Sequence, residues 1–433
     1  MKNYKQIVPI VLVVLLALSI YVLYSTKANE LNNYNKKLEE ARSYREQGIQ
    51  IDAEELYKQA LLDKPSIDLY MEIGSFYLEA ERIDDAIEWG AGVTKAYPED
   101  VRGYEYLMGI YEQQEDYIAL YKLVDTYNKR KLHSDTIEQM LTRCEYKYYF
   151  TGEYADVGVF SGGYCPVLLN EKWGYVDQVG KIAIPVKFLE VGAFAGGLAP
   201  VIDAEGSPYY IDEGGNKKHV VMNVENVQKV GFVEDGLFSV FDGTAWGFYN
   251  WENEHVFGAY KEVSSIGNGI AAVNTDGKWT LVNREGVDLT GKSYIDVAQD
   301  GKGIVSRYDR SFVAEGAEYQ LISSDGSVIG EQKYENAILF NDDTYAAVCV
   351  GGKWGFIDLD GNKKLDYTYE NARSFANGYA AVQINGLWGF IDIDGNVVIE
   401  PAFEEASDFN SNGCVFVKDE DCWKLLRLYK SNH

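Results

Sequence analysis

The stretch "GGKWGFIDLDGNKKLDYTYENARSFANGYAAV", residues 351–382, is followed by a close copy, "NGLWGFIDIDGNVVIEPAFEEASDFNSNGCVFV", residues 385–417. An earlier copy, "NEKWGYVDQVGKIAIPVKFLEVGAFAGGLAPV", occupies residues 170–201. Each reads as a small antiparallel sheet. "KWGFID" mixes aromatic and β-branched residues that suit a pleated surface, with Trp354, Phe356 and Asp358 on one face. Gly355 faces the other way, where a missing side chain is expected to let a neighbouring unit's large side chain approach. "DLDGN" turns the chain, with Gly361 at a position that calls for positive φ. A returning strand follows, and "F-x-x-G-x-A-A-V" makes a further turn and strand.

Aligning such units places the tryptophan position at Trp173, Pro208, Trp246, Trp279, Tyr319, Trp354, Trp388 and Trp423. The steps are 35, 38, 33, 40, 35, 34 and 35 residues, and six of the chain's eight tryptophans fall on this one position. The repeat positions singled out are Trp173, Gly174, Asp177, Trp246, Gly247, Trp279, Trp354, Gly355, Asp358, Trp388, Gly389, Asp392 and Trp423. These residues resemble the WG (KWG) repeat family of bacterial surface and uncharacterised proteins. The resemblance covers about residues 147–430 and implies a repeat β fold with no assigned chemistry. A single unit leaves apolar faces on both sides, so it must stack on neighbours. The last unit ends after "CWKLLRLYK" without its returning strand, whereas Lys147–Phe150 at the domain's start read as that strand. The expected fold is therefore a propeller-like ring of about eight small antiparallel blades closed by both termini, with an open β-solenoid as the alternative.

Between residues 30 and 146 the apolar period is helical. Ala41, Tyr44, Ala53, Tyr57, Ala60 and Pro65 recur 33 residues later as Gly74, Tyr77, Ala86, Gly90, Val93 and Pro98. This spacing resembles the tetratricopeptide repeat family, whose small residues let paired helices approach. A third unit carries Tyr104, Leu107 and Tyr111, and "HSDTIEQMLTRCEYKYY" is expected to cap the stack.

Before the helical repeats, "IVPIVLVVLLALSIYVLY" at residues 7–24 is uncharged and follows a short tail, residues 1–6, with Lys2 and Lys5. Its length predicts a single transmembrane anchor. Bulky Tyr21 and Tyr24 disfavour a cleavage site. Lysines flank both sides, so the short tail decides the expected orientation: N-terminus cytoplasmic, the rest extracytoplasmic, at the cell membrane.

The chain of 433 residues carries a net charge of -27. Such a field repels phosphate backbones and excludes sequence-independent nucleic-acid binding. Five scattered cysteines without a C-x-x-C pair give neither a disulfide framework nor a zinc site. One motif promises chemistry: "GVDLTGKS", Gly286–Ser293, satisfies the phosphate-loop pattern. In register with the other units it becomes a turn glycine, a weak returning strand and a lysine, with no helix to face an anion, so it is read as a false positive. The "DLDG" turns do not form an EF-type calcium loop, since Phe356 and Tyr367 would fall on ligand positions. His133, His219, His255 and His433 form no catalytic spacing. No catalytic residue, cofactor or metal is therefore assigned. The expected role is a non-enzymatic scaffold for an unknown protein partner at the bacterial cell envelope. Alternatives are a cell-wall glycan-binding module and a hydrolase using carboxylates that inspection does not single out.

Overall fold

The computed structural model describes residues 4–219, 226–234 and 236–428, with side chains from residue 15 onward. The chain divides into two compact units, residues 1–145 with 431–433, and residues 146–430.

In the first unit, seven helices occur among the described residues: α1 (Tyr4–Glu46), α2 (Gln50–Asp63), α3 (Ile67–Glu79), α4 (Ile83–Ala96), α5 (Val101–Gln113), α6 (Tyr117–Lys129) and α7 (Asp135–Arg143). Side-chain caps start four of them: Ser66, Asp100, Asp116 and Ser134 each accept a bond from a first-turn N–H. The small repeat residues have a visible function. A Cβ on Gly74 or Gly90 would lie 3.0 Å from the Tyr106 ring, which wedges between them. Tyr106 then donates to the Gly74 carbonyl at 2.9 Å.

The transmembrane helix expected at residues 7–24 is not supported. No helix among the described residues is long and apolar enough to cross a membrane. The apolar run is only the start of α1, which continues unbroken into the charged segment up to Glu46. The side chains described within it are those of residues 15–24, and at about 1.5 Å per residue they cover about half of a bilayer's hydrocarbon core. Of the expected tail, residues 1–3 lie outside the described residues and Tyr4 already belongs to α1. The expected membrane location and orientation find no support among the described residues.

The second unit contains eight sheets among the described residues, six four-stranded and two three-stranded, each an up-and-down meander. They are the eight blades of a β-propeller, numbered here by the order of their tryptophan positions. Neighbouring blades share cores. Tyr175, Ile184 and Phe188 of blade 1 pack with Phe194, Ala199 and Ile211 of blade 2. Cys414, Phe416 and Leu425 of blade 8, together with Tyr154 of the strand that completes that blade, pack in the same way with Cys165 and Val176 of blade 1.

The ring is closed by the first and last described strands of this unit. Strand Tyr148–Tyr154 pairs antiparallel with Cys422–Leu428, with Tyr148 opposite Leu428 and Tyr154 opposite Trp423. The N-terminal end of the unit thus completes blade 8, which removes the open edge that a solenoid would expose.

Candidate functional site

The tryptophan position and the residue after it organise the outer half of the blades. Opposite the tryptophan position stands an aromatic residue at seven blades: Trp173 faces Phe188, Trp246 Tyr260, Trp354 Tyr369, Trp388 Phe403 and Trp423 Tyr154. Two further pairs, Trp279–Tyr294 and Tyr319–Tyr334, are held by isolated bridges. Trp173, Trp279, Trp354, Trp388 and Trp423 each belong to or pack against an inter-blade core. Trp246 instead packs on Phe241, ring centroids 5.3 Å apart.

The glycine has a different reason from the one its pattern suggests. A Cβ on Gly389 would meet the Ile399 carbonyl oxygen at 2.6 Å and Pro401 N at 2.7 Å; on Gly174, Ile184 O at 2.7 Å; on Gly355, Tyr367 Cδ1 at 2.5 Å. All of these atoms belong to the returning strand of the same blade, not to a neighbouring unit. That strand bulges over the glycine, and the ladder shifts register across it and again after the following residue. Gly247 repeats the arrangement beneath His255–Tyr260. Where Thr280 or Gln320 replaces the glycine, the returning strand is reduced to isolated bridges. In blade 8, Lys424 occupies the position and the bulge sits at Thr151/Glu153, around Gly152 of the partner strand.

The turn aspartates are occupied by their own turns. Asp177 Oδ1 accepts from the N–H of Val179 at 3.0 Å and Lys181 at 2.9 Å. Asp358 Oδ1 accepts from Asp360 and Asn362, and Asp392 Oδ1 from Asp394 and Asn396, at 2.8–3.0 Å. Asn283 makes the same turn in blade 4, accepting from Glu285 and Val287, with Gly286 at φ 77°. "GVDLTGKS" is accordingly a turn and a frayed returning strand, anchored by a bridge between Val282 and Asp288. Lys292 points to Glu315 at 3.0 Å, and no helix follows.

Functional geometry collects where the sequence shows least, around the ring axis. The loops joining first and second strands are laced from blade to blade by side chains donating to the next blade's backbone. Asn341 bonds the Ser374 carbonyl, Asn377 that of Phe409, and Asn410 that of Gln178 across the closure. Blade 5 departs from this pattern. Its loop, residues 298–310, is about twice as long as its counterparts at 158–163 and 192–197. It reaches across the ring: a Cβ on Gly301 would lie 2.5 Å from Val159 of blade 1, the opposite blade. Ala298 and Ile304 anchor the loop in a core shared with Phe232 of blade 3 and Phe340 of blade 6.

Beside this crossing loop lies a cavity of about 300 Å³, lined from blades 1, 5, 6, 7 and 8. Its walls are the crossing loop, the Val159–Gly163 loop, Asn377 and the Ser407–Ser411 loop. Two carboxylates face it, and both are clamped. Asp300, with only 5% of its side chain exposed, pairs with Arg307 at 2.7 Å and also accepts from the N–H groups of Lys302 and Ile304. Asp408 takes a two-pronged bond from Arg373 at 2.6 and 2.9 Å, and its charge holds that guanidinium above its ordinary pKa. Half-buried Lys302 has neither a hydrogen bond nor an ion pair from its ammonium among the described residues. Burial, and then the charge of Arg307, lowers its pKa.

None of the repeat positions listed from the sequence lines this cavity. The one signal that pointed to it is the 40-residue step between Trp279 and Tyr319, the longest in the series. The extra residues are the crossing loop. Elsewhere among the described residues, His133, Asp135 and Glu138 could together hold a cation at the start of α7. They are exposed, and His133 is engaged by Glu138 at 2.7 Å and Asp135 at 3.4 Å.

Comparison with protein families matches the WG containing repeat six times, at residues 150–173, 173–202, 246–279, 321–354, 354–388 and 388–423. No curated protein matches the chain. Among solved structures, the computationally designed Ika8 protein is similar over 65% of this chain and 98% of its own, at 10% identity and a TM-score of 0.44. BamB from Moraxella catarrhalis is similar over 65% of this chain and 100% of its own, at 10% identity and a TM-score of 0.43. Kluyveromyces lactis Hsv2 covers 64% and 98%, at 9% identity and 0.37. The chain thus carries the WG containing repeat six times across residues 150–423, in a β-propeller preceded in sequence by a helical region.

Proposed function

We propose that this protein is a non-enzymatic protein-interaction scaffold, and that the propeller engages its partner on the face where the axial cavity opens. The observation that carries this reading is the crossing loop of blade 5, which gives that face a built polar centre with walls from five blades. A rigid ring presenting loops is a platform for recognition. The chemistry of the cavity favours binding over catalysis. Both of its carboxylates are committed to arginines, and no histidine lines it among the described residues. The helical region, with its 33-residue repeat, supplies a second surface of the kind that holds peptides or helices.

Site-specific photo-crosslinking in the native cells tests this. A photoreactive residue at Ser411, exposed beside the cavity, is expected to capture a discrete protein. The same residue at Glu205, in a hairpin turn at the opposite end of the strands, is expected to capture none. Absence of any protein adduct from Ser411, or equal capture from both positions, refutes the assignment of this face.

A further inference from the structure

The proposed function implies a partner, and the charges around the axis say what that partner carries; the inference rests on that reading. Asp300 is neutralised by Arg307 and Asp408 by Arg373. Two carboxylates and two guanidinium groups cancel. Lys302 remains, half-buried, with no ion-pair or hydrogen-bond partner for its ammonium among the described residues. Asp300, Asp408 and Glu234 are within electrostatic reach of it, but none is close enough to pair, and Glu234 does not line the cavity. A partly buried cation without a counter-ion is costly, and an anion brought by a ligand offsets that cost.

We infer that the axial cavity is a receptor for a single carboxylate of a partner polypeptide, bound by the ammonium of Lys302. The volume of about 300 Å³ admits one side chain or a chain end, not a folded element. The charge tally selects the anion. One negative charge matches the one ammonium that no carboxylate pairs, Glu234 acting on it only from outside the cavity lining, whereas a phosphate group near two negative charges would overcharge the site beside Asp300 and Asp408. The net charge of -27 repels acidic partners at long range. Beyond a Debye length of about 8 Å that repulsion is largely screened at physiological salt, so the local charges decide once contact is made.

Calorimetric titration of the full chain tests the inference with four probes: acetyl-Gly-Glu-Gly-amide, acetyl-Gly-Gln-Gly-amide, acetyl-Gly-Gly-Gly with a free C-terminal carboxylate, and inorganic phosphate. At least one carboxylate peptide is expected to bind about tenfold or more tightly than the glutamine peptide, and more tightly than phosphate. The tighter of the two carboxylate peptides identifies the source as a side chain or a chain end. Lys302→Met, which keeps the apolar stem, should abolish the preference, while Lys302→Arg should retain part of it. Equal binding of the glutamate, free-acid and glutamine peptides by the native chain overturns the inference, as does tighter binding of phosphate or an unaffected preference in a folded Lys302→Met chain. If Lys302→Met fails to fold, the native chain and Lys302→Arg decide. Loss of the carboxylate preference with Ser411 crosslinks intact sinks this inference alone, whereas loss of the crosslinks sinks the interaction reading beneath it.

Discussion

Gly389→Ala is the sharpest test of why these blades carry a glycine after the tryptophan. The added methyl would sit 2.6 Å from the Ile399 carbonyl oxygen, 2.7 Å from Pro401 N and 2.9 Å from Pro401 Cα. Ordinary contacts begin near 3.4 Å, so the returning strand must retreat by about 0.5–0.8 Å. Backbone cannot swing away as a flexible side chain does. Gly389 is not among the positive-φ glycines, so the penalty is steric rather than conformational. The retreating strand carries Ile399 and Phe403, which are 3% and 2% exposed. Burying each such side chain contributes about 1.5–3 kcal/mol. A gap of that size forfeits a quarter to a half of the dispersion attraction. The expected loss is therefore about 1–3 kcal/mol, in the range typical of overpacked cores. Urea unfolding followed by tryptophan fluorescence would read it as a lower midpoint at unchanged slope. Thr280→Ala, at the same register in a blade without the bulged strand, is the control and should stay within about 0.5 kcal/mol of the native chain. If Gly389→Ala costs no more than that control, the bulge does not constrain the glycine and the explanation fails.

Two further outcomes follow from the geometry. Lys292→Ala should leave both stability and nucleotide affinity, expected to be undetectable, unchanged, because its pair with Glu315 is exposed on both sides; ATP binding by the native chain that disappears in the variant would reinstate the phosphate loop. Glu54 in the helical region is desolvated, which alone would raise its pKa, yet bonds from Arg82, Lys58 and Tyr77 pull it down to about 2 from an ordinary 4.5. A depressed carboxyl stabilises above its unfolded pKa and loses that contribution as pH falls towards the folded value. The helical unit should thus weaken by up to about 3 kcal/mol between pH 5 and pH 2. Glu54→Gln should flatten that part of the curve in thermal melts, and an unchanged acid profile would count against the bond network.

The period of the β units was legible because it is written locally. An aromatic–glycine–aromatic strand, an aspartate turn and a returning strand recur every 33–40 residues, and each signal depends only on near neighbours. Even closure left a local trace, since residues 147–150 read as the strand missing from the last blade and Tyr148–Tyr154 completes it. The apolar run at residues 7–24 shows the limit of such reading. Its hydropathy reads as an anchor, yet it leads without a break into the charged part of the 43-residue α1, and no helix among the described residues is long and apolar enough to cross a membrane.

The partner of each glycine is a matter of register, because whether the close atom belongs to the same blade or the next depends on where the fourth strand bulges. The axial cavity lies further beyond sequence. Val159, Lys302, Asn377 and Asp408 come from four different blades and meet only because eight repeats close on one axis. Repetition determines a blade. The closed ring brings residues more than 200 positions apart to the same cavity, and it turns one irregular loop, a blemish in the repeat, into the floor of a binding site.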